Sequence, residues 1–215
     1  MDFAANRRLM VERQLRGRGI TDERVLEAML EFPREQFIPE ERRHSAYLDE
    51  PVPIGHGQTI SQPFMTALMV QCLELTGVEN VLEVGAGCGY HAAVLGALAR
   101  SVVTIELIPE LAAAARRNLE FTQNVAVVTG DGSLGYPGRA PYDAVSVAAA
   151  AAEIPPALLD QLKDGGRLVI PVGPSSEQAL YVVRKHGRSI EKRIAAWCRF
   201  VPLREPAKTS SPNGL

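Results

Sequence analysis

The chain has 215 residues, enough for one large domain that buries roughly 70–75% of its unfolded surface without help from disulfides or metal. Hydrophobic residues make up 46% and charged residues 22%, which excludes wholesale disorder. The 23 basic and 25 acidic residues sum to −2, so no global charge draws the chain to nucleic acid.

Residues 1–46 read as a helical cap. Arg7, Arg8, Arg13, Arg16 and Arg18 crowd its first helix and read as the solvated face of an amphipathic segment that also carries Leu9, Met10 and Leu15. Thr21 is the expected N-cap of a second helix, with Asp22 and Glu23 in its first turn and Val25, Leu26, Met29 and Leu30 on one apolar face. Pro33 ends it. Residues 47–62 (YLDEPVPIGHGQTISQ) carry two prolines and two glycines and read as a loop or short irregular strand, the kind of segment on which function concentrates. Pro63 then opens the helix PFMTALMVQCLEL.

From residue 80 the pattern alternates. NVLEVG, VVTIE, NVAVVTG, YDAVSVAA and GRLVIPVG read as strands, with helices at YHAAVLGALA, PELAAAARRNLEF and IPPALLDQL. Near-continuous apolar strands separated by helices predict a parallel sheet covered on both faces, a doubly wound α/β fold. QALYVVRKHG and RSIEKRIAAWCRFVPL read as two antiparallel strands around Gly187 at the sheet edge, and 204–215 as a flexible tail. The expected organisation is a single domain over 1–203: cap 1–46, loop 47–62, core 63–173 and C-terminal strands 174–203.

No apolar stretch approaches the ~20 residues of a membrane span, and the arginine-bearing N-terminus has no continuous apolar core of a secretory signal. Cys72, Cys88 and Cys198 make neither a zinc pattern nor a complete disulfide framework, and the four histidines show no ligand spacing. No metal is expected, and a reducing, cytoplasmic setting is.

The sharpest motif is Glu83-Val84-Gly85-Ala86-Gly87-Cys88-Gly89-Tyr90 at a strand-to-helix junction. A dinucleotide fingerprint needs G-x-G-x-x-G, and counting from Gly85 its third glycine would fall on Tyr90. Here the glycine comes one residue earlier, and an acid precedes the loop by two. That acid would repel a pyrophosphate and attract a cationic amino group such as that of S-adenosylmethionine. Glu106, ending the next strand, can accept two hydrogen bonds from a ribose diol, and Asp131 in Gly130-Asp131-Gly132 is placed to accept from an adenine amino group. Three acids at the ends of successive strands make an adenosyl cofactor the best reading.

With these residues the sequence resembles the protein-L-isoaspartate O-methyltransferases. The specific segment is Tyr47 to Met65 (YLDEPVPIGHGQTISQPFM), joined by APYDAVSVAAAA, LLDQLKDGGRLVIPVG and RFVPL. Ala86 and Cys88 stand where that family shows small hydroxyl residues, Ala148 where threonine or glycine is usual, and Ala152 for a common proline. The resemblance implies a Rossmann-like class I methyltransferase fold, with S-adenosylmethionine bound by Thr59, Ile60, Glu83, Gly85, Ala86, Gly87, Gly89, Glu106, Leu107, Asp131 and Gly132. It implies methyl transfer to the α-carboxylate of L-isoaspartyl residues in damaged proteins and peptides, leading through a succinimide back to aspartate. Ser61 is the expected catalytic residue; Gln58, Thr59, Arg199, Val201 and Leu203 border the substrate with it. His56 and Trp197 are read as structural. A monomer with neither nucleic-acid nor membrane partner is expected. The alternatives are a same-fold enzyme acting on an aspartyl carboxylate of a dedicated peptide and a non-catalytic adenosyl-binding module.

Overall fold

The computed structural model describes residues 1–204; apart from Arg204, the expected flexible tail 204–215 lies outside the described residues. The cap begins with helix α1 (Phe3–Leu9), which Asp2 caps by accepting from the Ala5 amide at 2.9 Å. A π-helical stretch over Met10–Leu15 continues it to a turn at Gly19, followed by α2 (Glu23–Glu31). Asp22, not Thr21, is the N-cap of α2: its carboxylate accepts from the Arg24 amide at 3.0 Å. Thr21 is instead tied to the neighbouring helix, its amide donating to Gln71 Oε1 at 2.7 Å.

The arginines of the cap divide. Arg8 and Arg13 are exposed, as a solvated face requires, but Arg7 reaches inward to Glu35, the Leu30 carbonyl and the Tyr47 hydroxyl. Arg18 pairs with Asp49 and lies 3.7 Å above the Phe64 ring. Leu9 and Leu30, expected on buried faces, point to solvent, while Met10, Leu15, Val25, Leu26 and Met29 are buried.

Residues 47–62 form more than a loop. Strands β1 (Val52–Gly55) and β2 (Gln58–Ile60) pair antiparallel around His56 and Gly57, both at positive φ. Helix α3 (Pro63–Cys72) then starts with proline in its first turn, and the Phe64 amide is capped by Asp49 Oδ1 at 3.2 Å.

The alternating region follows as β3 (Asn80–Val84), α4 (Tyr90–Leu98), β4 (Ser101–Glu106), α5 (Pro109–Asn118), β5 (Val125–Thr129), β6 (Tyr142–Val147), α6 (Pro156–Asp160) and β7 (Leu162–Val172). Antiparallel β8 (Gln178–His186) and β9 (Ser189–Cys198) turn at Gly187, as expected. The seven-stranded sheet runs β5-β4-β3-β6-β7-β8-β9, parallel from β5 to β7. Side chains alternate between its faces: Val81, Val102 and Ala144 join a core with α2 to α5, whereas Leu82, Val103 and Val145 pack on the side of α6. The sheet is thus covered on both faces, unevenly. Strand β7 begins earlier than the sequence pattern suggests, because Leu162 pairs with Tyr142 before a register shift brings Arg167 opposite Ala144. Among the described residues no helix is long and apolar enough to cross a membrane.

Candidate active site

The strand order reverses beside β3: the chain runs outward through β4 and β5, then returns as β6 on the other side of β3. Ligands of open α/β sheets bind at such a switch point, beyond the carboxyl ends of the strands. A cleft open to solvent lies here. Its walls come from the glycine loop, the end of β4, Gly132, Ala148 and Ala149, the hairpin residues Gln58 to Ser61, and the C-terminal Val201 to Arg204.

Gly85, Gly87 and Gly89 all have positive φ. At Gly89, which leads into α4, a Cβ would also fall 3.0 Å from Leu119, the residue that ends α5, so this close approach is made over glycine. Four of the loop's amides are engaged internally: Gly85 N and Ala86 N donate to the Ile105 carbonyl, Gly89 N to the Ala86 carbonyl, and Gly87 N to Glu106 Oε2 at 2.8 Å. A pyrophosphate is held by free amides at such a loop, so these bonds weigh against the dinucleotide reading alongside the glycine spacing. The Glu106 carboxylate accepts a second bond from Ile108 N at 3.0 Å. Each oxygen keeps lone-pair capacity for a diol. These residues fit an adenosyl group: a carboxylate fixed at the end of β4, apolar Ile105, Leu107 and Ile108 beside it, and Gly132 across the cavity.

Two expected cofactor residues stand elsewhere. Glu83 is fully buried and not on the cavity wall; His91 is on the wall, with its Nδ1 3.7 Å from Glu83 Oε1. Neither Glu83 oxygen makes a hydrogen bond of good geometry, and burial, opposed only by the neighbouring Thr104 hydroxyl, pushes its carboxyl up to about 8. Burial pushes the His91 imidazole the other way, to about 4, so at neutral pH a carboxylic acid faces a neutral ring. Asp131 uses Oδ1 to cap its own turn, accepting from Ser133 N and Oγ at 2.9 and 2.7 Å, and only its neighbour Gly132 reaches the wall. Cys88 borders the first cavity but is almost wholly buried, and burial pushes its thiol up to about 11, which disfavours the reactive thiolate at neutral pH.

A second cavity, of about 1160 Å³, adjoins the first. Thr59, Ser61, Ala148 and Val201 line both, so Ser61 stands at their junction. Ser61 does not cap α3; Asp49 does, which leaves the Ser61 side chain to the cleft. Its carbonyl is held by Arg34 Nη2 at 2.6 Å, while Arg34 Nε binds the Ala46 carbonyl at 2.8 Å. Arg34 is fully buried against the Tyr90 ring. Nothing in the sequence marked it, since arginine is ordinarily exposed. Among the expected substrate residues, Arg199 lines the second cavity, Gln58 and Leu203 the first, and Val201 both. The C-terminal residues arrive because Ala150 N donates to the Val201 carbonyl and Leu203 N to the Ala150 carbonyl, at 2.8 and 2.7 Å. His56 lies at the exposed hairpin turn, away from both cavities.

Fold and site together define an S-adenosylmethionine-dependent methyltransferase of class I. The sequence model of the protein-L-isoaspartate(D-aspartate) O-methyltransferases matches residues 5–208. The chain is 52% identical over 203 residues to the protein-L-isoaspartate O-methyltransferase of Koribacter versatilis, covering 94% of this chain and 91% of that one. Identity is 54% to protein-L-isoaspartate O-methyltransferase 2 of Marinobacter nauticus, with 94% of each covered. Among solved structures, one protein-L-isoaspartate O-methyltransferase superposes with a TM-score of 0.83 at 30% identity, over 93% of this chain and 66% of that chain. A Plasmodium falciparum protein of the same description, in complex with S-adenosyl-L-homocysteine, gives 0.77 at 27% identity over 91% and 96%. The chain belongs to the protein-L-isoaspartate(D-aspartate) O-methyltransferase family and is a protein-repair methyltransferase that uses S-adenosylmethionine.

Proposed function

We propose that the cleft works by placement, with the cofactor in the first cavity, the damaged peptide in the adjoining one and Ser61 holding the reacting carboxylate where they meet. The observation that carries this reading is the position of Ser61 at the junction. When bound, S-adenosylmethionine supplies an electrophilic methyl group. Glu106 and Gly132, with Leu107, would hold its adenosyl part, and the loop Gly85 to Gly89 with Thr59 and Ile60 the remainder. Glu83 supports that wall from behind through His91, and Asp131 through the turn it caps.

The isoaspartyl α-carboxylate has a reference pKa of ~3.9 and is ionised at neutral pH, so it needs no general base. Ser61 would donate to one carboxylate oxygen and leave the other facing the first cavity, where the bound cofactor would give up its methyl group and leave as S-adenosylhomocysteine. Alignment of this kind contributes up to roughly 7–11 kcal/mol. The methyl ester then loses methanol as the backbone nitrogen closes a succinimide, whose hydrolysis returns part of the material to aspartate. The free cysteines Cys72, Cys88 and Cys198 are in keeping with a cytoplasmic enzyme, and we read it as monomeric.

The test is methyl transfer from labelled S-adenosylmethionine to matched isoaspartyl and aspartyl peptides. In isoaspartate the free carboxylate sits directly on Cα, whereas in aspartate it stands one methylene farther out. A misplacement of ~1 Å costs about 100-fold, so label is expected on the isoaspartyl peptide in a base-labile ester, with the aspartyl peptide at least roughly 100-fold poorer. Preferential labelling of the aspartyl peptide would replace this reading with a dedicated-peptide enzyme.

A further inference from the structure

The chain's one tryptophan, expected to be structural, is 66% exposed at the end of β9. It faces solvent on the wall of the second cavity, with Met65 and Phe200 supplying further apolar surface. An exposed indole beside a reaction centre presents a large, rigid, amphipathic face at low entropic cost to a partner. The occupant of this groove is fixed by the chemistry next to it. The cofactor fits the first cavity, and an extended peptide advances ~3.3 Å per residue, so with its isoaspartyl carboxylate at Ser61 a neighbouring side chain enters the second. Arg199 is the only charged residue lining that cavity among the described residues, which disfavours a lysine or arginine there.

We infer that Trp197, with Met65 and Phe200, forms a subsite for an apolar side chain adjoining the isoaspartate, so that this enzyme selects among damaged sites by their flanking sequence. The inference rests on the placement of the carboxylate at Ser61, and it makes Trp197 a specificity-determining residue. Truncation of Trp197 leaves the core intact because the side chain is outside it.

Because Trp197 is the sole tryptophan, its emission reports the subsite directly. The enzyme, saturated with S-adenosyl-L-homocysteine to prevent turnover, is titrated with isoaspartyl peptides carrying leucine or glycine on either side of the damaged residue. One leucine peptide is expected to shift Trp197 emission to the blue and to bind roughly 10-fold tighter than its glycine counterpart, about 1.4 kcal/mol. The same preference is expected in kcat/KM, retained in Trp197→Phe and reduced to near unity in Trp197→Ala. Equal binding of leucine and glycine peptides, or a preference that survives Trp197→Ala, overturns the subsite. A spectrum that responds to protein concentration and to no peptide assigns the face to a second copy and also overturns it. Methylation of the glycine-flanked isoaspartyl peptide over its aspartyl match tests the Ser61 placement separately, so the two can fail independently.

Discussion

Ser61 and Glu83 show how environment, more than residue type, decides a side chain's work. Ser61 stands one residue before Gln62, the N-cap position of the proline-opened helix α3. Here Asp49 caps the Phe64 amide instead, so the Ser61 hydroxyl remains available to an anionic ligand at the cleft junction. A hydrogen bond to a charged group contributes about 1.5–3 kcal/mol. Ser61→Ala is therefore expected to lower turnover on an isoaspartyl peptide by at least roughly 10-fold with an unchanged melting temperature. Near-parental turnover would remove Ser61 from the mechanism. Glu83 is the opposite case, an acid whose burial keeps it neutral. Its folded pKa, about 8, lies above the ordinary 4.5, so the associated stability is fully present below about 4.5 and is lost as pH rises through 8. His91, pushed to about 4, acts with the opposite sign: its contribution is present above about 6.5 and lost as pH falls through 4. Glu83→Gln keeps the shape and removes only the first of these. Urea unfolding at pH 5 and pH 8 is expected to show the variant gaining about 1 kcal/mol or more on the parent between the two. A constant difference would mean that Glu83 does not titrate in this window.

Between elements, long polar side chains fasten the cap to the sheet domain. Arg34, from the turn after α2, bridges the carbonyls of Ala46 and Ser61 and so connects the cap to the proposed carboxylate position. A lysine has the charge but no planar fork to serve both carbonyls. Arg34→Lys is expected to lower stability by roughly 1–3 kcal/mol, through one buried carbonyl left unpaired. It should also lower kcat several-fold while S-adenosyl-L-homocysteine affinity is kept, a split that general loosening would not produce. Equal losses of kcat and product affinity would reduce Arg34 to a packing role. Links of this kind were the least legible part of the sequence. Periodicity revealed every strand of the sheet, and Pro63 and Gly187 marked a helix start and a hairpin turn, because each of those signals is local. The burial of Arg34, the inward reach of Arg7 and the pairing of Arg18 with Asp49 depend on partners 12 to 56 residues away. The hairpin at 52–60 reads in the sequence as a loop or short irregular strand because its prolines and glycines obscure alternation. At the site, the glycine loop, Glu106 and Ser61 were legible as motif and resemblance. The withdrawal of Glu83 and Asp131 from the wall was not, since it depends on which way each carboxylate turns.

The cleft is closed by parts of the chain that lie far apart in sequence: the hairpin, the ends of the central strands, and a C-terminal segment anchored to Ala150. A ligand seated there joins these parts, so its binding energy appears as stability of the entire fold. Product at ~100 times its dissociation constant stabilises by about 2.7 kcal/mol. For a chain of this size, that amounts to a rise in melting temperature of about 5–10 °C. The distribution of the effect is the sharper prediction. Hydrogen exchange with and without S-adenosyl-L-homocysteine is expected to slow in two distant segments together, 58–61 and 201–203, because both border the cofactor cavity. The turn at Gly187, which borders neither cavity, should exchange at the same rate in both states. Protection confined to the glycine loop would mean that the hairpin and C-terminal segment do not close on the cofactor. The peptide groove would then have to be assembled by substrate alone, and Ser61 would lose the preorganised position on which catalysis by placement depends.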